Sequence, residues 1–291
     1  MVDMHIHSNY SDGDKNIKEL LEVCEERKLD YISITDHNTC EQYNDEGFKL
    51  DNIFSGKIIK GVELNAVFGN RNIEILGYNV DINIINEWRQ KYYSEENLNK
   101  QQKICGDILL DICDKKGLIY DKSIRNKYIP VNDFIEIHIY EELMKHEENY
   151  NILGKLTESG GIFYRKGLAN PESDFFINRN EFRPKYKEVI DIIHASGGKA
   201  FLAHPFEYKF LDTIKFIDEL RKETELDGIE CFHPSSEDDN KKDVLVKYAR
   251  KNNLFISGGS DFHGKRKANI EIGCGKGSLN ISKEFIEEWI N

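Results

Sequence analysis

Asp3-Met4-His5-Ile6-His7-Ser8-Asn9-Tyr10-Ser11-Asp12-Gly13 opens the chain with an apolar run that carries two histidines two positions apart and ends in a polar turn. On a strand, residues i and i+2 face the same side, so residues 2–7 read as a strand that points both imidazoles one way. Two same-side histidines at a strand end make a two-nitrogen grip for a metal ion. The arrangement returns near the C-terminus in Gly259-Ser260-Asp261-Phe262-His263, where Asp261 and His263 are again i and i+2. Gly258-Gly259 just before them permits tight backbone near a site. Thr35-Asp36-His37, Gly61-Val62-Glu63 and Ala203-His204-Pro205 likewise put a ligand-type side chain where an apolar run stops. One histidine pair alone reads equally well as a polar strand edge; with Asp12, His37, Glu63, Asp261 and His263 in similar settings, it reads as a site.

These runs are spaced by an alternating pattern. Residues 2–7, 31–35 (YISIT), 57–63 (KIIKGVE) and 73–77 (IEILG) read as strands, and 17–27 as a helix. Alternation resumes with a helix over 187–196 closed by Gly197-Gly198, a strand over 200–203 ending at His204, and a helix over 211–223. A strand over 228–232, a helix over 238–252 and a strand over 254–258 follow. Such alternation predicts an α/β fold of parallel strands joined by crossover helices. Every candidate ligand, Glu63 included, then lies at the C-terminal end of a strand, the end that carries the active site in barrels of this kind. Over residues 81–185 the pattern changes to long polar helices at 86–116 and 133–144 and a loose stretch at 160–183, which reads as an inserted helical subdomain or lid between 1–80 and 186–291.

A chain of 291 residues suits one barrel carrying an insert. The 39% apolar fraction supports a core, and no apolar run approaches the ~20 residues of a membrane span. The chain enters its first strand with no charged leader or cleavage site, and its six scattered cysteines form no CxxC pair, so reduced thiols in a cytoplasmic protein are expected. A net charge of −12 works against long duplex nucleic acid, whose binding needs Lys and Arg. Short anionic substrates remain open, because metals attract phosphate locally. The oligomeric state is not legible.

Glu63 has two oxygens with which to bridge two cations, and Asp36 is placed either to orient a neighbouring imidazole or to cap the following helix. Oxygen ligands mixed with imidazole suit Mn²⁺, Fe²⁺ or Zn²⁺. Two or three such cations close together lower the pKa of a bridging water, giving hydroxide near neutral pH, and neutralise an in-line phosphoryl transition state. No serine or cysteine triad is evident. The expected chemistry is metal-dependent hydrolysis of a phosphate ester.

The runs DMHIHSNYSDG, ITDHNT, GVELN, ILGYNVD, GGKAFLAHPF and GGSDFHG, within residues 1–80 and 186–275, resemble the PHP (polymerase and histidinol phosphatase) superfamily. Within it, the chain is most similar to stand-alone phosphoesterases with a helical insert. The resemblance implies a distorted (β/α)7 barrel with a trinuclear centre: His5, His7, Glu63 and Asp261 on one metal, Glu63 shared with His204 on a second, and Asp12, His37 and His263 on a third. It implies catalytic roles for Asp12, His37, Glu63, His204, Asp261 and His263. Where the family usually reads HILGY, this chain has Glu74, an expected oxygen ligand in place of imidazole. Where relatives carry Arg-Pro-His, this chain has Glu136-Ile137-His138-Ile139, which loses the arginine and leaves His138 as a substrate-contact candidate. Arg179 and Arg183, with Lys185 and Lys187, are candidates for a distal phosphate, with a solvated loop as the alternative. His233 could approach the pocket; His194 and His146 read as non-catalytic. Implied substrates are nucleoside 3′,5′-bisphosphates and short oligonucleotides, with a histidinol-phosphate phosphatase and a non-catalytic PHP binding module as alternatives.

Overall fold

The first strand, β1 (Val2–Ile6), alternates apolar and polar side chains, yet all its residues are buried. Val2, Met4 and Ile6 enter the apolar core, while Asp3 and His5, followed by His7, lie on the opposite face, equally shut off from solvent. A half-polar strand with no wet face signals an interior polar site. The computed structural model describes residues 1–50, 53–127, 134–237 and 240–290.

The chain divides into two compact units, Met1–Gln90 with Pro184–Asn291, and Lys91–Arg183. In the first, β1, β2 (Tyr31–Ile34) and β3 (Lys57–Ile58) form a parallel sheet in that order. A second sheet runs β4 (Gly61–Phe68), β5 (Arg71–Tyr78), β6 (Lys199–Leu202), β7 (Gly228–Phe232) and β8 (Phe255–Gly258). Isolated bridges join the two sheets at His37–Glu63 and at Ile6–Phe262. The helix Ile17–Glu26 starts at a capping box between Asn16 and Glu19 and buries Ile17, Leu20, Leu21 and Cys24. The helix Tyr186–Ala195 buries Val189, Ile190 and Ile193 against the second sheet. All six cysteines are unpaired, and five are buried.

The strand expectations need correction in two respects. The 57–63 stretch is not one strand: β3 ends at Ile58, and β4 starts at Gly61 and runs on to Phe68. Glu63 therefore sits near the start of a long strand. The strands are not all parallel either, because β4 and β5 form an antiparallel hairpin and β6 pairs antiparallel to β5. The cause is Gly69-Asn70, a two-residue turn with Gly69 at φ 58°, the turn chemistry that joins antiparallel strands. The hairpin register pairs Glu63 with Leu76 and Asn65 with Glu74. Glu63 and Glu74 are thereby diagonal neighbours on one face.

The second unit has its own core of Cys105, Leu109, Leu110, Cys113, Ile139, Leu143 and Phe163. The single helix expected over 86–116 is two, Ile82–Tyr93 and Glu95–Lys115, broken where the Ser94 side chain accepts from Asn97 N and caps the second. The helix expected over 133–144 spans Ile135–Leu143, and Asp133 lies outside the described residues. The helix expected over 238–252 spans Lys241–Lys251; positions 238 and 239 also lie outside them. Among the described residues no helix is long and apolar enough to cross a membrane.

At Gly259 an added Cβ would stand 2.3 Å from His5 Cβ and 2.4 Å from His5 N. Only glycine lets the segment after β8 lie this close to β1. Gly259→Ala should lower the unfolding free energy by about 3 kcal/mol in urea melts of the metal-free protein. Gly161→Ala, whose methyl would meet only the Arg165 side chain at 3.6 Å, should leave it nearly unchanged.

Candidate metal centre

β1 delivers His5 and His7 with their Nε2 atoms 3.0 Å apart, aimed at a common point. Glu63 reaches the same point from β4. Its Oε2 lies 3.2 Å from His5 Nε2, 3.3 Å from His7 Nε2 and 3.1 Å from His37 Nδ1. Its other oxygen is 2.9 Å from His204 Nε2. Asp261 Oδ1 closes the ring, 3.3 Å from His7 Nε2 and 3.5 Å from His5 Nε2. On one flank, Asp12 Oδ1 lies 3.1 Å from His263 Nε2, 3.7 Å from His7 Nδ1 and 3.8 Å from His37 Nε2. On the other, Glu74 puts Oε2 3.4 Å from His204 Nε2 and Oε1 3.9 Å from His37 Nδ1. The donor atoms fall into overlapping groups, each within 4.8 Å: His7, Asp12, His37 and His263; His5, His7 and Asp261; His5, Glu63 and His204; His37, Glu63 and Glu74.

The donor set fits divalent cations. Asp12 Oδ1, His37 Nδ1 and Glu63 Oε2 are buried without a hydrogen bond of acceptable geometry, although each has ring nitrogens or carboxylate oxygens close by. Such a crowd of lone pairs is costly unless something positive sits among them. Imidazole mixed with carboxylate is the set used by Mn²⁺, Fe²⁺ and Zn²⁺.

Without a cation, protons must balance the charge. Burial disfavours a charged His204, but Glu63 outweighs it and holds the ring at about 10. Burial likewise opposes protonation of His7, and the bonds to Asp261 and Glu63 raise it to about 9. Burial opposes ionisation of Glu63 and Asp261, but the His5 ring first, joined by His37 and His204 at Glu63 and by His233 and His7 at Asp261, holds both carboxylates well below the usual range. Glu74 goes the other way: burial first, and then the charge of Glu63, push its carboxyl up to about 7.

The backbone is bent to bring these groups in. His204 and Asp261 have φ of 24° and 54°, a left-handed conformation that costs a non-glycine residue roughly 1–3 kcal/mol. Hydrogen bonds hold both: His204 N donates to Glu230 Oε2 at 2.8 Å, and Asp261 N to the His5 carbonyl at 2.8 Å.

Other functional side chains escaped the sequence reading. Glu230, buried in β7, accepts from His5 Nδ1 at 2.9 Å as well as from His204 N. A lone glutamate inside GIECF was the available signal. Asp3 is fully buried and accepts from Ser260 N at 2.9 Å and Gly273 N at 2.7 Å, tying β1 to the segment after β8. Lys267 donates to Asp261 Oδ2. Asp36 fulfils neither role expected of it: it accepts from Ser8 N at 2.9 Å and from the hydroxyls of Ser8 and Ser11, and so fixes the turn after β1.

His138, Arg179 and Arg183 belong to the helical unit. Arg179 donates to Glu136 Oε1 at 2.6 Å and lies over the Tyr164 ring, so its charge is matched within that unit. Lys187 pairs with Asp191 one helical turn on. His194 is bonded to Asp227 at 2.7 Å, and His146 lies 3.6 Å from Glu142.

Glu74 allows a test with opposite signs. In the metal-free protein its carboxyl titrates at about 7 rather than near 4.5. The folded state then binds the proton more tightly than the unfolded chain, so ionised Glu74 costs stability, increasingly from pH 4.5 to 7 and constantly above. Metal-free Glu74→Gln should melt a few degrees above the parent at pH 8 and together with it at pH 4. With Mn²⁺ present the order at pH 8 should reverse.

Comparison with known proteins places this geometry in a family. The PHP domain family model matches residues 3–250. The 5′-3′ exoribonuclease Rnm of Escherichia coli is 25% identical over 276 residues, covering 90% of this chain and 85% of that protein. The phosphoribosyl 1,2-cyclic phosphate 1,2-diphosphodiesterase of Eggerthella lenta is 25% identical over 279 residues, covering 90% and 94%. Among solved structures, a Bifidobacterium adolescentis protein assigned as a metal-dependent phosphoesterase superposes with a TM-score of 0.65 at 19% identity over 99% of this chain and 94% of its own. A Chromobacterium violaceum amidohydrolase superposes at 0.63, also at 19% identity, over 91% and 88%. With a family match that spans most of its length and an interior cluster of imidazoles and carboxylates, the chain belongs to the PHP domain family.

Proposed function

We infer that this chain is a metal-dependent phosphoesterase of the PHP family that hydrolyses a small phosphate ester of nucleotide type. The observation that carries the reading is Glu63 Oε2, buried and faced by ring nitrogens of His5, His7 and His37 within 3.3 Å. The proposed ligands for two or three divalent cations are His5, His7, Asp12, His37, Glu63, Glu74, His204, Asp261 and His263. Bound there, divalent cations supply Lewis acidity to a phosphoryl oxygen and acidify water.

The side chains fix where that chemistry happens. Glu63, with imidazoles on both oxygens, sets the spacing between neighbouring positions. Glu230 holds a proton on His5 Nδ1 and so leaves Nε2 as the nitrogen that would face a cation at the centre. Asp12 is 35% and Glu74 27% exposed, against 4% for Asp261, so both flanks are more open to an incoming phosphate than the centre between them. Glu74 in place of imidazole adds negative charge to its own flank and favours harder cations there.

The relatives support a nucleotide-type ester. One is named as a 5′-3′ exoribonuclease and another as a cyclic phosphodiesterase. Nucleoside 3′,5′-bisphosphates and short oligonucleotides are the preferred candidates. The net charge of −12 supports a short ligand over a long duplex. Two features support catalysis over a binding module that has lost its metals: a complete set of donors, and strained backbone at His204 and Asp261. In this reading a (β/α)7-type barrel is interrupted by a helical subdomain, the compact unit Lys91–Arg183 rather than the expected 81–185.

The test is phosphate release by Mn²⁺-loaded protein from nucleoside 3′,5′-bisphosphates, short oligonucleotides, a cyclic ribose phosphate and histidinol phosphate. A preference for one of the first three is expected. His7→Ala should reduce both bound metal and rate by at least about 100-fold. Full activity in a metal-verified His7→Ala protein would refute the assignment.

A further inference from the structure

His233 and Ser235 follow β7 immediately, and His233 is buried with its ring 6.3 Å from His5 and 5.2 Å from His204. Its Nε2 stands 3.2 Å from Asp261 Oδ2, and with Glu207 and Asp261 it forms a further group of donors close enough to hold a cation. Two roles are therefore open to it: a metal ligand, or a group that acts on Asp261. Its other nitrogen separates them.

Two groups of Ser235 meet His233 Nδ1: the hydroxyl at 2.8 Å, which can donate or accept, and the backbone amide, which donates at 3.0 Å. An amide N–H can only donate, so Nδ1 must be the bare nitrogen and the ring proton must sit on Nε2. A protonated Nε2 has no lone pair for a metal, but it donates to Asp261 Oδ2. Two of the candidate ligand histidines, His5 and His263, are pinned the opposite way. His5 Nδ1 faces Glu230 Oε1 at 2.9 Å, and His263 Nδ1 faces the Asp261 carbonyl at 2.9 Å. Both acceptors hold a proton on Nδ1 and so make Nε2, which points at Glu63 and Asp12 respectively, the nitrogen available to a cation.

We propose that His233 is a positioning residue for the metal centre: locked by Ser235 in its Nε2–H form, it holds Asp261 Oδ2 and so presents Oδ1 to His5 and His7. Lys267, partly exposed, donates to the same Oδ2. Both donors thus sit on one oxygen of the carboxylate, and the other turns inward. This assignment rests on the phosphoesterase reading and deepens it by separating a tenth, non-ligating side chain from the donors around it.

Nitrogen-15 spectra of histidine-labelled protein, metal-free and loaded with diamagnetic Zn²⁺, test this in the native chain. His233, assigned by the signals lost in His233→Gln, should show a protonated Nε2 and bare Nδ1 in both states. His5 and His263 should show protonated Nδ1. A His233 Nε2 that is bare, or that shifts as a Zn²⁺ ligand, would overturn the proposal. Mn²⁺ affinity, measured by competition with a fluorescent chelator, gives the second readout. His233→Gln, whose amide can donate from the position of Nε2, should keep near-native affinity. His233→Leu and His233→Asn should lose about 10-fold or more. Asp261→Asn separates the two levels. If it leaves Mn²⁺ affinity intact, the metal-centre reading itself fails; if it weakens binding while His233→Leu and His233→Asn do not, only the positioning role fails.

Discussion

Glu63 is a carboxylate with no access to water, and imidazole nitrogens face both of its oxygens. Much of the architecture of the larger unit serves to make that arrangement possible. β1 gives up a whole face to Asp3, His5 and His7. β4 and β5 turn back on each other so that Glu63 and Glu74 share a face. The segments after β2, β6 and β8 each bring in an imidazole. An isolated buried carboxylate is among the most expensive groups in a protein interior, so its neighbours must match its charge.

The match is made in layers. Protons on His5, His7 and His204 balance the carboxylates in the absence of metal, and cations can take the place of those protons. Behind the donors, a second set of buried groups fixes their orientation: Glu230 on His5, Asp36 on the turn after β1, and Asp3 on the segment after β8. Left-handed backbone at His204 and Asp261, and the close approach at Gly259, are the conformational cost of the convergence.

Much of this was legible because the chemistry sits in short local patterns. His5 and His7, or Asp261 and His263, announce themselves at i and i+2 next to apolar runs, and the family resemblance rested on the same runs. Two kinds of feature were not legible. The first is a turn that reverses the chain: Lys57 to Glu63 looked like one apolar run, and the meaning of Gly69-Asn70 emerged only once the hairpin register was known. Glu63 and Glu74 meet across that hairpin, a long-range consequence that no local window contains. The second is the supporting shell. Glu230 and Asp3 are single acidic residues in apolar strands, and His5, which Glu230 holds, and Ser260, which Asp3 holds, lie 225 and 257 positions away in the chain. Asp36 beside His37 suggested an imidazole partner, whereas its oxygens turn to Ser8 and Ser11.

Anomalous diffraction from crystals soaked in Mn²⁺ measures the central feature most directly, because it locates the cations without reference to any substrate. At least two peaks are expected, one between the Nε2 atoms of His5 and His7 and a second beside His204, with Glu63 contacting both. Manganese found only on surface carboxylates, with the cluster around Glu63 empty, would contradict a metal centre and leave the buried imidazoles as a proton-balanced structural network.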